Sequence, residues 1–186
     1  MNEQTSNKFE EVTLSTESIF NGRIISLQVD TVRLPNGETA TREIVKHPGA
    51  VAVIALVEDK MLVVEQYRKP FEKNLVEIPA GKLDHGEAPL AAATRELEEE
   101  TGYTAGEIRL IHSFYTSPGF ANEMIHLFLA ENLTRGEAHL DEDEFLDCSA
   151  ITLEEAEQYI AEGRIGDAKT IMAVYAWKLY KLTGKL

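Results

Sequence analysis

A single cysteine, Cys148, is the only thiol in this chain of 186 residues. No internal disulfide can form, which fits a reducing compartment. Positive charge is scarce: 18 lysines and arginines stand against 32 aspartates and glutamates, for a net charge of −14. A surface that acidic repels nucleic-acid backbone and anionic membrane, so neither is expected as a partner. No apolar run approaches the roughly 18 residues needed to cross a bilayer. The opening MNEQTSNKFEEV lacks the basic and apolar regions of a signal peptide, so a cytoplasmic location is expected. His47, His85, His112, His126 and His139 show neither HxH nor HExxH spacing, and transition-metal ligation by them is not expected. Internal repeats and low-complexity tracts are absent as well. What remains is the length and apolar content of one globular domain with room for a small appendage.

The first 10 residues read as a loosely tied tail. Residues 11–46 read as β structure: a weak strand at Val12–Phe20, a stronger alternating one at Arg23–Leu34, a Pro35-Asn36-Gly37 turn, and a returning strand at Thr39–Lys46. This gives an N-terminal antiparallel sheet over 1–46 and a main domain over 47–186. Ala50–Val57 is continuously apolar and reads as a central strand. Further strands are expected at Met61–Tyr67, Leu75–Pro79, Ile108–Phe114, Met124–Leu129 and Cys148–Thr152. Residues 131–146 read as a long acidic surface loop. Thr152 caps an expected helix to Ala161, and Asp167 caps one to Leu182, with Ile171, Val174, Tyr175 and Leu179 as its apolar face.

The most informative stretch runs from Gly81 to Tyr103. Pro89 suits the first position of a helix, and Gly102 suits its left-handed stop. Glu96, Glu99 and Glu100 stand at i, i+3 and i+4, which sets three carboxylates on one face, while Leu90 and Leu97 read as its core stripe. These acids occupy the last turn, where the helix dipole is negative, and Glu96 and Glu100 repel as a like-charge i,i+4 pair. Glu87 adds a fourth carboxylate, and Arg95 is the one nearby cation, spaced to meet Glu99. Two readings stand: a solvated acidic face, or oxygen ligands for a hard cation such as Mg²⁺.

The stretch fits G-x5-E-x7-R-E-U-x-E-E-x-G-U, with U apolar or aromatic, through Gly81, Glu87, Arg95, Glu96, Leu97, Glu99, Glu100, Gly102 and Tyr103. This resembles the signature of the Nudix hydrolases. The resemblance implies an α/β fold, an α/β/α sandwich with a mixed sheet, and hydrolysis of a nucleoside diphosphate linked to another moiety. It implies Mg²⁺, with Mn²⁺ as a substitute, held by Glu96, Glu99, Glu100 and the backbone carbonyl of Ala80. Arg95 would orient a glutamate.

Outside the box, Pro118 lies 15 residues past Tyr103 within SPG, and Arg42-Glu43-Ile44, His47-Pro48-Gly49-Ala50-Val51, Glu65-Gln66-Tyr67-Arg68 and Glu77-Ile78-Pro79-Ala80-Gly81 are similar to the ADP-ribose pyrophosphatase subfamily. That resemblance implies Mg²⁺-dependent cleavage of ADP-ribose to AMP and ribose 5-phosphate. Arg42 and Arg68 become candidate cations for phosphate or ribose, with surface arginine as the plain alternative. Ser117 and Gly119 are candidates for close backbone approach to the terminal ribose. Ile24 and Ile25 are candidates to pack a base across a homodimer interface, with ordinary strand core as the alternative. In similar enzymes an acidic loop supplies the general base. This maps onto Glu142 as base and Glu144 as a further metal ligand, with the two able to exchange roles and a solvated loop as the alternative. The N-terminal sheet in such relatives commonly swaps between subunits. A nucleoside diphosphate sugar such as GDP-mannose is the alternative substrate, and a non-catalytic ADP-ribose sensor the alternative function.

Overall fold

A computed structural model of the chain describes residues 8–140 and 145–185. The chain divides into two compact units. One comprises the chain up to Pro48 together with Tyr115–Glu123; the other comprises Gly49–Phe114 and the chain from Met124 onward.

In the first unit, β1 (Val12–Asn21), β2 (Ser26–Arg33) and β3 (Thr39–Lys46) form an antiparallel sheet in that order. Gly37, at a φ of 90°, supplies the left-handed residue of the β2–β3 turn, and its N–H donates to Leu34 O. The sheet is thinly buried: every residue of β1 is exposed, while Asp30 and Val32 of β2 are covered. The 115–123 segment belongs here because it bonds to the end of β3. Val45 N–H donates to Phe120 O at 2.8 Å, Asn122 N–H to Val45 O at 3.2 Å, and His47 N–H to Asn122 Oδ1 at 2.8 Å.

The second unit carries a mixed seven-stranded sheet. Its main path runs β10 (Leu146–Ile151), β5 (Lys60–Arg68), β4 (Ala50–Val57), β9 (Met124–Arg135), β8 (Tyr103–Tyr115). In addition β6 (Lys73–Glu77) pairs with β5, and β7 (Ala80–Lys82) with β4. β4 and β9 run parallel, while β4 pairs antiparallel with β5 and β7. The apolar run of β4 is buried on both faces, which is why it shows no polar alternation. Ala50, Ala52 and Ile54 pack in one core with Ala156 of α2 (Leu153–Ala161) and Ala173, Val174 and Trp177 of α3 (Ala168–Thr183). Val51, Val53 and Ala55 pack in the other core with Ala92, Ala93 and Leu97 of α1 (Pro89–Thr101). The strand's period of two therefore divides one sequence between two helix layers, giving the expected α/β/α sandwich. Burying a side chain such as Leu97 contributes about 1.5–3 kcal/mol.

Several local expectations need correction. Leu90, in the first turn of α1, is 49% exposed. The buried positions are Ala92, Ala93, Glu96, Leu97, Glu100 and Thr101, so small residues let this helix lie close to the sheet. On α3 the buried face is Thr170, Ala173, Val174 and Trp177, while Tyr175 and Leu179 are exposed. β9 continues through Arg135, so the first residues of the expected 131–146 loop are strand. Ile24 and Ile25 lie in the β1–β2 connection, 50% and 40% exposed, and are not strand core.

Candidate active site

α1 starts with Pro89 at its first position, and no side chain caps it. It stops at Gly102, whose φ of 72° is left-handed. Within those limits Glu96 and Glu100 fall on the sheet-facing side, and Glu99 on the flank. Glu96 and Glu100 are only 7% and 4% exposed. Glu100 Oε2 accepts the N–H of Ala80 at 3.0 Å, which ties the end of the helix to β7. Glu96 occupies the space beside Gly81, where a Cβ would run into its carboxylate. The glycine that begins the box therefore leaves room for a carboxylate, and any side chain there would push Glu96 from its place.

Arg95 organises the remaining oxygens. Its Nε and Nη2 donate to Glu87 Oε1 and Oε2 at 3.0 and 3.1 Å. Its Nη1 donates to Glu96 Oε1 and to Glu99 Oε2, both at 2.8 Å. The expected pair with Glu99 is present, and two further carboxylates join it. The hydrogen bond to Glu87 is the main reason the guanidinium holds its proton more firmly than an ordinary arginine. Glu87 in turn is held below the usual carboxylate range by Arg95 first and by the Asp84 N–H second.

The box therefore sets three carboxylates, Glu87, Glu96 and Glu99, on one guanidinium and ties a fourth, Glu100, to the Ala80 N–H; Glu96 and Glu100 are largely buried, toward the negative end of the helix. By donor chemistry the set fits a hard divalent cation: carboxylate oxygens, and the Ala80 backbone placed between Gly81 and the bond to Glu100. Among the described residues no three acidic, histidine or cysteine side chains already converge as ligands, and Arg95 engages oxygens of Glu96 and Glu99. An open surface cavity beside them is lined by Thr94, Arg95, Glu98, Glu99 and His139. His139 N–H donates to Glu99 O at 3.1 Å, which anchors this part of the chain to the box helix. Glu142 and Glu144 themselves lie outside the described residues.

Arg68 lies in the second unit, where its Nε and Nη2 close on Glu77 at 2.6 and 2.8 Å; Nη1 takes no part in that pair. The charge of Glu100 adds to the firm protonation of Arg68, after the larger effect of the Glu77 bond. In the first unit Arg42 is paired with Glu11, at 2.8 Å from Nε and 2.5 Å from Nη2, and a phosphate would have to displace that carboxylate. Ser117 and Gly119 lie in the 115–123 segment. Ser117 O accepts the N–H of Phe120 and of Ala121, and the space around Gly119 is open. Glu77 is a nearly inaccessible carboxylate, which the sequence placed only within the Glu77-Ile78-Pro79-Ala80-Gly81 stretch that leads into the box. Its only signal was a charge inside an otherwise apolar run.

Comparison with known proteins gives a consistent family. The family model described as NUDIX domain matches residues 46–174, and that of the nucleoside diphosphate sugar hydrolase N-terminal domain matches residues 11–45. The chain is 61% identical over 169 residues to a methanol dehydrogenase activator of Bacillus methanolicus, covering 89% of this chain and 91% of that one. It is 53% identical over 168 residues to an ADP-ribose pyrophosphatase of Bacillus subtilis, again with 89% and 91% covered. Among solved structures, an ADP compounds hydrolase superposes with a TM-score of 0.83 over 95% of this chain and 97% of that one, at 20% identity, which establishes likeness of fold.

Proposed function

Since the chain belongs to the Nudix family, we propose that it is a hydrolase that cleaves the pyrophosphate of ADP-ribose to AMP and ribose 5-phosphate. The observation that carries this reading is the intact box, with Glu96, Glu99 and Glu100 gathered at Arg95 and β7. The 53% relative that acts as an ADP-ribose pyrophosphatase supports the substrate. Glu96, Glu99, Glu100 and the Ala80 carbonyl would hold Mg²⁺, for which Mn²⁺ would substitute. When bound, the metal neutralises phosphoryl charge and lowers the pKa of its water.

The rest of the work falls to the chain. Arg95 fixes Glu96 and Glu99 in orientation and keeps Glu87 ionised. Arg68 offers its Nη1 to phosphate oxygens, and Arg42 offers its guanidinium once Glu11 is displaced. Ser117 and Gly119 give backbone access for the terminal ribose, and Ile24 and Ile25 give exposed apolar surface for the base. A carboxylate must take the proton of the attacking water within hydrogen-bond reach. Glu142 is assigned that role and Glu144 a metal contact; the bond of His139, nearby in sequence, to Glu99 of the box helix supports the assignment. Water then adds at one phosphorus, the P–O–P bridge breaks, and the two phosphate monoesters leave.

The chain is assigned as a homodimer. Val12, Leu14, Ile19 and Phe20 are exposed along β1, an apolar surface that a second copy would cover. A monomer by light scattering would overturn this. A cytoplasmic location is part of the same proposal, and a lone cysteine fits such a reducing compartment. Among the described residues no helix is long and apolar enough to cross a membrane.

The deciding experiment is product analysis with ADP-ribose and Mg²⁺, with and without EDTA. AMP and ribose 5-phosphate appearing only with metal is the expected result. Cleavage of GDP-mannose but not ADP-ribose would move the substrate, and binding of ADP-ribose without cleavage would make the chain a sensor. The 61% relative favours a second role, activation of methanol dehydrogenase. Methanol oxidation by the purified dehydrogenase, with and without this chain, tests it; an unchanged rate would discard it.

A further inference from the structure

Glu77, at the end of β6, is 2% exposed. A carboxylate that deeply buried is costly unless well paired. Arg68 meets both of its oxygens, and the Lys169 ammonium also bonds Oε2. Burial alone would push the carboxyl up, but the two cations outweigh it and hold Glu77 below the usual carboxylate range.

Lys169 is the second residue of α3. A cation there faces the positive end of the helix dipole, so the helix gains nothing from it. It is kept in place by Glu77 and by the capping residue Asp167, whose Oδ1 lies 3.0 Å away. The next residue, Thr170, is fully buried, and its Oγ1 accepts the N–H of Ile78 at 3.1 Å. Pro79 O accepts the N–H of Val53 at 2.9 Å, and Ala80 N–H donates to Glu100 at 3.0 Å. Each residue from Glu77 to Ala80 is thus fixed by a polar bond from a distant part of the chain. For Glu77 and Ile78, α3 supplies one, and its donor and acceptor lie 92 residues further along. Apolar packing would hold a strand to a helix without burying charge. Polar bonds with defined lengths fix where the backbone lies.

We propose that the first turn of α3 is a positioning element for the metal site: Lys169, through Glu77, and Thr170, through Ile78, set the backbone of Ala80 and Gly81 against Glu100 and Glu96. The proposal rests on the metal reading above. Groups that orient metal ligands from behind typically matter about 10–100-fold in metal affinity. Neither residue lies in the box.

The test is Mn²⁺ binding to the full, metal-free chain without substrate, read from the spin resonance of free Mn²⁺. Lys169→Met and Thr170→Val are each expected to weaken binding about 10-fold or more. Their metal-free circular dichroism should match the wild type at the assay temperature. Lys169→Arg, which restores a cation to Glu77, is expected to recover most of the loss. Wild-type affinity in both Lys169→Met and Thr170→Val would overturn the proposal and leave the metal reading standing. A loss of binding that follows loss of folded signal in both variants would reduce the network to a stability element and overturn it too. A wild-type chain that binds no Mn²⁺ would overturn the metal reading, and this inference with it.

Discussion

Replacing Arg95 by methionine keeps the aliphatic volume and removes the one cation that meets Glu87, Glu96 and Glu99. The bonds are not equal. Glu96 has a side chain 10% exposed, so its bond to Nη1 is the best shielded and is worth about 1.5–2 kcal/mol, near the lower end for hydrogen bonds to charged groups. Glu99 is twice as exposed as Glu87 and pairs at i,i+4, worth only about 0.5 kcal/mol. Glu87 falls between, because the Arg95 side chain is itself about a third exposed and water screens the pair. A total near 3 kcal/mol follows, which for a chain of 186 residues corresponds to a fall in Tm of about 6–12 °C. Scanning calorimetry in EDTA at pH 7.5 measures it. The pH dependence has a definite sign. The folded Glu87 carboxyl lies below its usual range, so its share of stability is present above about pH 4.3 and is lost as pH falls through the folded value. The gap between wild type and Arg95→Met should therefore narrow on acidification. A variant melting within a degree or so of wild type at pH 7.5, or a gap that widens in acid, would refute the reasoning.

Two further outcomes are expected. Gly81→Ala places a Cβ against the Glu96 carboxylate, so Mn²⁺ affinity should fall at least about 10-fold, while overpacking costs about 1–3 kcal/mol of stability. Titration of the metal-free variant checks this, and wild-type affinity would mean that Glu96 moves aside without consequence. Glu142→Gln should lower kcat by about 10²-fold or more, the loss expected of a general base, in a steady-state assay with ADP-ribose. An unchanged rate would remove Glu142 from the mechanism and turn attention to Glu144.

The helix that carries the site is legible in the sequence because its determinants are local. Pro89 presets the first turn, Gly102 tolerates the left-handed stop, and a period of 3.6 residues places Glu96, Glu99 and Glu100 together. The same holds for β4, whose unbroken apolar run needs a covered position on both faces, and for the Asp167 cap of α3. Periodicity alone did not say which helical residues would be buried. Leu90 and Leu179 carry the right spacing yet are exposed, while Ala92, Ala93 and Leu97 of α1 and Ala173, Val174 and Trp177 of α3 are buried. Nor does spacing reveal partners far apart in the chain. Arg95 reaches back 8 residues to a loop glutamate, Gly81 makes room for a carboxylate 15 positions later, and Glu77 is paired with Arg68 and with a lysine 92 residues on. Local dihedral preferences and residue period decide what a segment becomes. The pairing of charges across segments is decided by how the layers pack, and only the tertiary structure holds that.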